Sequence, residues 1–224
     1  GESGYAVIPR ENTIGGAVID YVDTLIGENA VSVVGEVELP INQNLLVLPG
    51  TALSQIKTVY SHKQGIAQGA DWLKENLPDA EVVEVSSTAE GAKLVSEGKD
   101  ASLAAIASAA CADVYGLEVL AAGIQNNESN KTRFYVLSCE AAATAPADRL
   151  AFLAKGSAEA LPALLADMEK QNVTLVALHD RPLKTELGEY CYLIECENCD
   201  HAQYEKLAGH SAFTFRYLGS FAVR

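Results

Sequence analysis

Positive charge is scarce in this sequence: 16 lysines and arginines stand against 30 aspartates and glutamates, a formal net charge of −14 over 224 residues. A chain of that balance repels nucleic-acid phosphates and anionic membrane surfaces, so neither is expected as a partner, and the acidity reads as a well-solvated surface. No apolar run approaches the ~20 residues needed to cross a bilayer, and no signal peptide is visible. A disulfide framework is missing too. The five cysteines, Cys111, Cys139, Cys191, Cys196 and Cys199, are odd in number and unevenly spaced, which fits a reducing cytoplasm. Cys196 and Cys199 form a CxxC with His201 close behind, and thiolates and imidazole at such spacing are zinc ligands. But no second CxxC exists and Cys191 lies inside an apolar run, so these read as thiols of a strand and a turn, and no metal is expected. Internal repeats and long low-complexity tracts are absent. The chain opens on Gly1 and its single methionine is Met168, so a natural N-terminus upstream is expected.

What is present is apolar material, 49% of the residues, enough for one large domain or two small ones. Ile14, Ala17, Val18, Tyr21, Val22 and Leu25 recur at helical spacing and predict a helix over 13–26, capped by Asn12 or Thr13 and ended by Gly27. Strands are predicted at 30–39, 44–48, 57–61, 81–85, 102–106, 117–121 and 132–138. Between them fall a helix through Ala67, Ala70, Leu73 and Leu77, a second opened by a Ser87/Glu90 capping box, and an alanine-rich third over 107–115. This alternation predicts an α/β domain with a largely parallel sheet. The alanine-rich stretch 139–148 reads as a linker. Beyond it the order changes to strand (149–154), helix (157–170), strand (173–178), strand (190–195), helix (201–207) and strand (213–221). A loop with Pro182 and Gly188 joins the middle strands. That βαββαβ order is ferredoxin-like. The predicted domains are therefore 1–140 and 148–224.

Four polar segments begin or end predicted elements, where site residues gather in α/β folds. They are Pro9-Arg10-Glu11-Asn12-Thr13, Ser61-His62-Lys63-Gln64, Ser87-Thr88-Ala89 and Thr132-Arg133-Phe134. Taken singly, Asn12 and Thr13 read equally as helix caps, Thr132 as a strand former, His62 as a surface histidine and Arg133 as an ion-pair residue. In order and at these spacings, together with Gly35-Glu36, Leu45-Leu46, Ala105-Ile106-Ala107 and Tyr115-Gly116-Leu117, the set resembles the prephenate dehydratase family. His179-Asp180-Arg181-Pro182, Glu159-Ala160-Leu161 and the closing Tyr217-Leu218-Gly219-Ser220-Phe221 resemble the ACT regulatory domain found in that family.

The resemblance implies a two-lobed α/β catalytic domain like the periplasmic binding proteins, followed by a ferredoxin-like ACT domain that pairs with a second copy, in a dimer or tetramer. It implies loss of carbon dioxide and water from prephenate to give phenylpyruvate. Aromatisation drives that reaction, so no cofactor is implied. Thr132 is implied as the donor to the departing hydroxyl, with Asn12 holding a substrate group and Glu11 orienting Asn12 or a water. Thr13, Ser61, His62, Gln64, Thr88 and Arg133 are implied to bind the dianionic substrate. Ala160, Leu161, Asp180, Arg181 and Pro182 are implied to bind phenylalanine as effector.

The sequence also departs from the family pattern. Its glycine-rich opening region, Gly-Pro-x-Gly, is absent, so the 224 residues are expected to be catalytically poor while the intact gene product is active. Arg10 stands for an aliphatic residue, Lys63 for a proline and Gln43 for a histidine. Arg10 and Lys63 are expected to add positive charge near the cleft. The same departures fit arogenate, whose side chain carries an ammonium group. Glu159 for a glycine and His179-Asp180 for Glu-Ser bear on effector binding. The rival of a different class is a two-lobed aromatic or amino-acid sensor without catalysis.

Overall fold

The computed structural model describes residues 4–140, 142–145, 147–183 and 187–224. Ala141 and Pro146 of the predicted linker, and residues 184–186 of the loop between Pro182 and Gly188, lie outside the described residues. Two compact units form, Pro40–Asn130 and a second made of Gly1–Leu39 with Lys131–Arg224. The chain therefore crosses from one to the other twice.

The chain enters through β1 (Tyr5–Asn12), turns back through β2 (Gly16–Ala17) and continues into α1 (Ile19–Gly27) and β3 (Ser32–Pro40). The helix predicted over 13–26 thus begins only at Ile19. The residues before it are taken by a tight hairpin in which Glu11 faces Ala17 and Asn12 faces Gly16. Gly16 turns that hairpin with φ +72°, a conformation glycine adopts without a steric penalty. The Asn12 carboxamide oxygen accepts from the amides of Ile14 (3.0 Å) and Gly15 (2.9 Å). Asn12 therefore ties a turn rather than capping a helix. The predicted apolar face survives in the shorter helix, with Tyr21, Val22 and Leu25 buried.

In the Pro40–Asn130 unit follow β4 (Asn44–Val47), β5 (Thr58–Ser61), α2 (Lys63–Gln68), α3 (Ala70–Asn76), β6 (Glu81–Glu84), α4 (Thr88–Gly98), β7 (Leu103–Ala107), α5 (Ala109–Tyr115) and β8 (Glu118–Ala121). The sheet order is β6-β5-β7-β4-β8. It is mixed rather than largely parallel: β5 runs parallel to β6 and β7, whereas β4 runs antiparallel to β7 and β8. Leu45, Val47, Ala104 and Ile106 pack on one face, Leu46, Ala105 and Ala107 on the other. Burial on both faces explains why these central strands read as unbroken apolar runs. The single helix predicted through Ala67–Leu77 is two, divided at Gly69. A Cβ at Gly69 would come within 3.2 Å of the Ile106 Cδ1 atom, so the glycine lets the chain bend close to the sheet. Ser87 caps α4 by accepting from the Glu90 amide (3.1 Å), but the Glu90 carboxylate returns to the amide of Ser86 (2.8 Å), so the predicted box closes one residue earlier.

The chain returns to the first unit as β9 (Lys131–Ser138), which completes a sheet of order β2-β1-β9-β3. Then come β10 (Arg149–Ser157), a 3-10 turn over Ala158–Ala160, α6 (Leu161–Lys170), β11 (Thr174–Pro182), β12 (Glu189–Glu197), α7 (His201–Ala208) and β13 (Phe213–Phe221). This is the predicted βαββαβ order, paired antiparallel as β11-β12-β10-β13, the ferredoxin-like arrangement. One face of this sheet packs Leu150, Phe152 and Ile194 against Leu164, Met168, Tyr204 and Leu207 of α6 and α7. The other packs Ala151, Leu153, Cys191 and Leu193 against Tyr21, Val22 and Leu25 of α1 and against Tyr135 and Leu137 of β9. Cys191 and Cys196 accordingly face opposite sides of β12.

The chain end joins the first sheet as well. The Glu36 amide donates to Ala222 (3.0 Å), the Arg224 amide to Glu36 (2.9 Å) and the Glu38 amide to Arg224 (2.9 Å), so the residues after β13 run beside β3. Gly219, at φ +148°, makes the approach possible, because a Cβ there would lie 2.2 Å from the Val33 carbonyl oxygen.

Candidate active site

The strand pair β1/β9 sets the geometry. Pairing runs from Tyr5 opposite Ser138 to Pro9 opposite Phe134, and resumes as Glu11 opposite Arg133 and Asn12 opposite Thr132. Arg10 is the extra residue of a β-bulge, a device that re-aims side chains beside sites. Proline at position 9 suits this place because it brings no amide that the ladder would need.

Past the bulge, Asn12 and Thr132 meet side by side. Asn12 Nδ2 donates to Thr132 Oγ1 (2.9 Å) and to the Lys131 carbonyl (3.1 Å). With its oxygen held by the Ile14 and Gly15 amides, the carboxamide is bonded at both ends and fixed in orientation. Thr132 is buried. Its oxygen accepts from Asn12, so its own proton is directed to another acceptor, and accepting a bond makes a hydroxyl the better donor. Thr13 closes the corner: its amide donates to the Lys131 carbonyl (2.9 Å), and its hydroxyl accepts from the Lys131 amide (3.0 Å).

The charged residues nearby are paired among themselves. Arg133 lies 3.6 Å from Glu11 and 3.3 Å from Glu38, and Lys131 lies 2.6 Å from Glu38. The bond from Lys131 holds the Glu38 carboxyl below the usual carboxylate range. Arg10 corrects the expectation of added charge at a cleft. It is fully buried, 3.5 Å from Glu36 and 2.6 Å from Glu195 of β12, with its guanidinium 5.4 Å from the centre of the Tyr135 ring. Burial disfavours its charge, but Tyr135, Glu195 and Glu36 outweigh that and raise its pKa. Burial, and then Glu195, push the Glu36 carboxyl up. Arg149 completes the cluster with bonds to Glu195 (2.5 Å) and Glu197 (3.2 Å).

In the other unit, Ser61, His62, Gln64 and Thr88 gather beyond the carboxyl end of β5, where ligands of α/β sheets bind. The buried Ser61 hydroxyl donates to the Ile106 carbonyl (2.7 Å). His62 caps α2, its Nδ1 accepting from the Gln64 amide (3.3 Å), and the Gln64 side chain is exposed. A Cβ at Gly65 would lie 2.4 Å from Ser61 Oγ and 3.3 Å from Thr88 Cγ2, so a glycine there lets these residues crowd together. Lys63 is exposed at the start of α2. Gln43, where a histidine is common, donates from its amide nitrogen to Gln68 (2.8 Å).

Of the expected effector residues, Ala160 and Leu161 stand where the 3-10 turn becomes α6, packed on the core. Asp180, Arg181 and Pro182 end β11, and Arg181 makes two bonds to Asp23 of α1 (2.6 and 2.8 Å). Among the described residues no group of three or more His, Cys, Asp or Glu side chains is placed to hold a metal ion, and no helix is long and apolar enough to cross a membrane.

Sequence reasoning missed the buried cluster around Glu195. The available signal was a lone acidic residue inside the apolar run 190–196, a strand whose two faces are both covered. It also gave His179 no role. That half-buried imidazole keeps Nε2 out of solvent without a hydrogen-bond partner among the described residues. Burial, and secondarily the Arg10 charge, lower its pKa. A depressed histidine binds its proton more readily unfolded than folded, so stability is lost as pH falls through the unfolded value near 6.5. His179→Gln removes that loss. Melting temperatures taken at about pH 7.5 and 5.5 should fall more for the wild type than for the variant, and parallel curves would refute the assignment.

The Asn12–Thr132 pair, on the two central strands of a four-stranded sheet beside a ferredoxin-like arrangement, belongs to an α/β protein. The chain belongs to the prephenate dehydratase family: the family model described as prephenate dehydratase matches residues 1–142. It is 37% identical over 198 residues to a bifunctional chorismate mutase/prephenate dehydratase of Neisseria gonorrhoeae, covering 88% of this chain and 54% of that protein. It is 32% identical over 235 residues to the prephenate dehydratase of Lactococcus lactis, covering 100% of this chain and 83% of that one. Among solved structures, the prephenate dehydratase of Arthrobacter aurescens in complex with L-Phe superposes with a TM-score of 0.87 at 30% identity, covering 99% of this chain and 76% of the other. The chain spans little more than half of two bifunctional relatives, 54% of the Neisseria protein and 55% of one from Aquifex aeolicus.

Proposed function

We propose that the protein acts as a prephenate dehydratase in L-phenylalanine biosynthesis. The observation that carries this reading is the Asn12–Thr132 pair, a hydroxyl fixed by an amide with its proton left for another acceptor. In the proposed reaction the ring carboxylate leaves as carbon dioxide. Its bonding electrons enter the ring as the C–O bond at the opposite carbon breaks. Thr132 donates a hydrogen bond to the departing oxygen, which takes up one proton and leaves as water, and phenylpyruvate remains. Aromatisation supplies the driving force, and the donor's task is to stabilise charge growing on the leaving oxygen. Arg133, with Glu11 beside it, and Ser61, His62, Gln64, Thr88 and Thr13 are proposed to bind the dianion. On this reading 1–140 is the catalytic region.

Residues 148–224 are proposed to be an ACT regulatory domain that binds phenylalanine at Ala160, Leu161, Asp180, Arg181 and Pro182, in a cytoplasmic dimer or tetramer. The related Arthrobacter structure was solved with L-Phe, which supports that effector. The test is turnover of prephenate at neutral pH, followed by the absorbance of the phenylpyruvate enolate in alkali, with arogenate assayed beside it. Prephenate should be consumed faster than arogenate. Prephenate left unchanged would defeat the reading, and faster turnover of arogenate would move it to that substrate.

A further inference from the structure

We propose that Glu195 is a positioning residue that locks the register of the donor pair, by holding Arg10 in the β1 bulge through an ion pair from β12. This inference rests on the dehydratase reading for its catalytic consequence, and on geometry alone for the lock.

The register shows what the bulge does. If the pairing that sets Pro9 opposite Phe134 continued unbroken, Arg10 would face Arg133 and Glu11 would face Thr132. The extra residue shifts the count by one, and Asn12 faces Thr132 instead. Without the bulge the hydroxyl would meet a carboxylate side chain in place of a fixed amide donor. A carboxylate accepts hydrogen bonds, so it would claim the proton that the Asn12 arrangement leaves available.

The Arg10 carbonyl accepts from the Val18 amide (2.9 Å), but the bulge takes its side chain out of the β1/β9 pairing, so another contact must fix the guanidinium. Here that is Glu195, whose side chain is only 1% exposed. Its Oε2 lies 2.6 Å from Arg10 Nη2 and accepts from the Tyr135 hydroxyl at 2.5 Å, while its Oε1 accepts from Arg149 at 2.5 Å. Arg10 belongs to β1, two residues before Asn12, and Tyr135 belongs to β9, three residues after Thr132. One carboxylate of β12 therefore contacts both strands of the donor pair, at the bulge residue itself and at Tyr135, which faces Ile8 just before the register shift. A displaced Arg10 would leave the buried Glu36 and Glu195 carboxylates short of a countercharge.

The test compares Glu195→Gln, which keeps the shape and removes the charge, with Glu197→Gln. Glu197 sits on the same strand and pairs with the same Arg149 at 3.2 Å, and among the described residues its ion pair reaches neither β1 nor β9. Hydrogen exchange is read at the amides of Ile14 and Gly15, which bond to Asn12, and kcat and KM are read for prephenate. Glu195→Gln should speed exchange at those amides about tenfold and lower kcat about tenfold with KM within about twofold. Glu197→Gln should change neither. Should Glu195→Gln fail to fold, Tyr135→Phe keeps the ring and removes one bond to the same carboxylate, and it should move both readouts the same way to a smaller extent. Wild-type exchange at Ile14 and Gly15 in the folded variant, or the same change in Glu197→Gln, would overturn the proposal. A wild-type protein without turnover would defeat the dehydratase reading instead, and the exchange comparison would still decide the lock.

Discussion

On the proposed mechanism, Thr132→Val should lower kcat for prephenate about a thousandfold, within the range a positioned proton donor contributes. KM should move by less than about threefold, because the group acts as the C–O bond breaks rather than in binding the ground state. Valine keeps the branched shape of threonine and puts a methyl group where the hydroxyl accepts from Asn12. Asn12 keeps its bonds to the Lys131 carbonyl and to the Ile14 and Gly15 amides, so the turn is retained. The expected loss of stability is about 1 kcal/mol, one hydrogen bond. Steady-state kinetics with a melting curve on the same sample separate the two effects. Turnover within twofold of wild type in a folded variant would remove Thr132 from the mechanism.

The second large effect is structural. Gly219→Ala should destabilise the protein by about 3 kcal/mol, from a strained backbone angle and a steric clash together. At φ +148° an alanine is already disfavoured, and its Cβ would lie 2.2 Å from the Val33 oxygen. That oxygen is main chain and cannot swing aside like a side-chain tip. Either β13 moves away from β3 or the bonds between Glu36 and the residues after β13 break. Denaturant unfolding monitored by circular dichroism would show it, and a shift under about 0.5 kcal/mol, the usual surface scale, would mean the close approach is not maintained in solution.

Sequence periodicity recovered the elements with one covered face and a long repeat, such as α6 and the βαββαβ order. It failed where local bonding displaced the pattern. The residues over 13–18 have helical spacing, yet the Asn12 carboxamide and the left-handed Gly16 turn them into a hairpin. The mixed sheet was also out of reach, because strand direction depends on partners distant in sequence. For the donor pair, both residues were legible as motifs, but their meeting depends on a one-residue bulge that no spacing rule reveals. Arg10 was misjudged for the same reason: its motif neighbours point to a site, whereas the bulge turns it into the interior against Glu36 and Glu195.

The pairing of β1 with β9 links residues separated by about 120 positions, as in the bond from Asn12 to Thr132. A nascent chain therefore carries β1 without its β9 partner while all of Pro40–Asn130 is synthesised. That intervening unit owns a five-stranded sheet and can mature on the ribosome ahead of its flanks. The Asn12–Thr132 corner is then among the last parts to take shape, gated by arrival of a strand encoded far downstream, and slow loop closure rather than local helix formation should set the pace of its assembly.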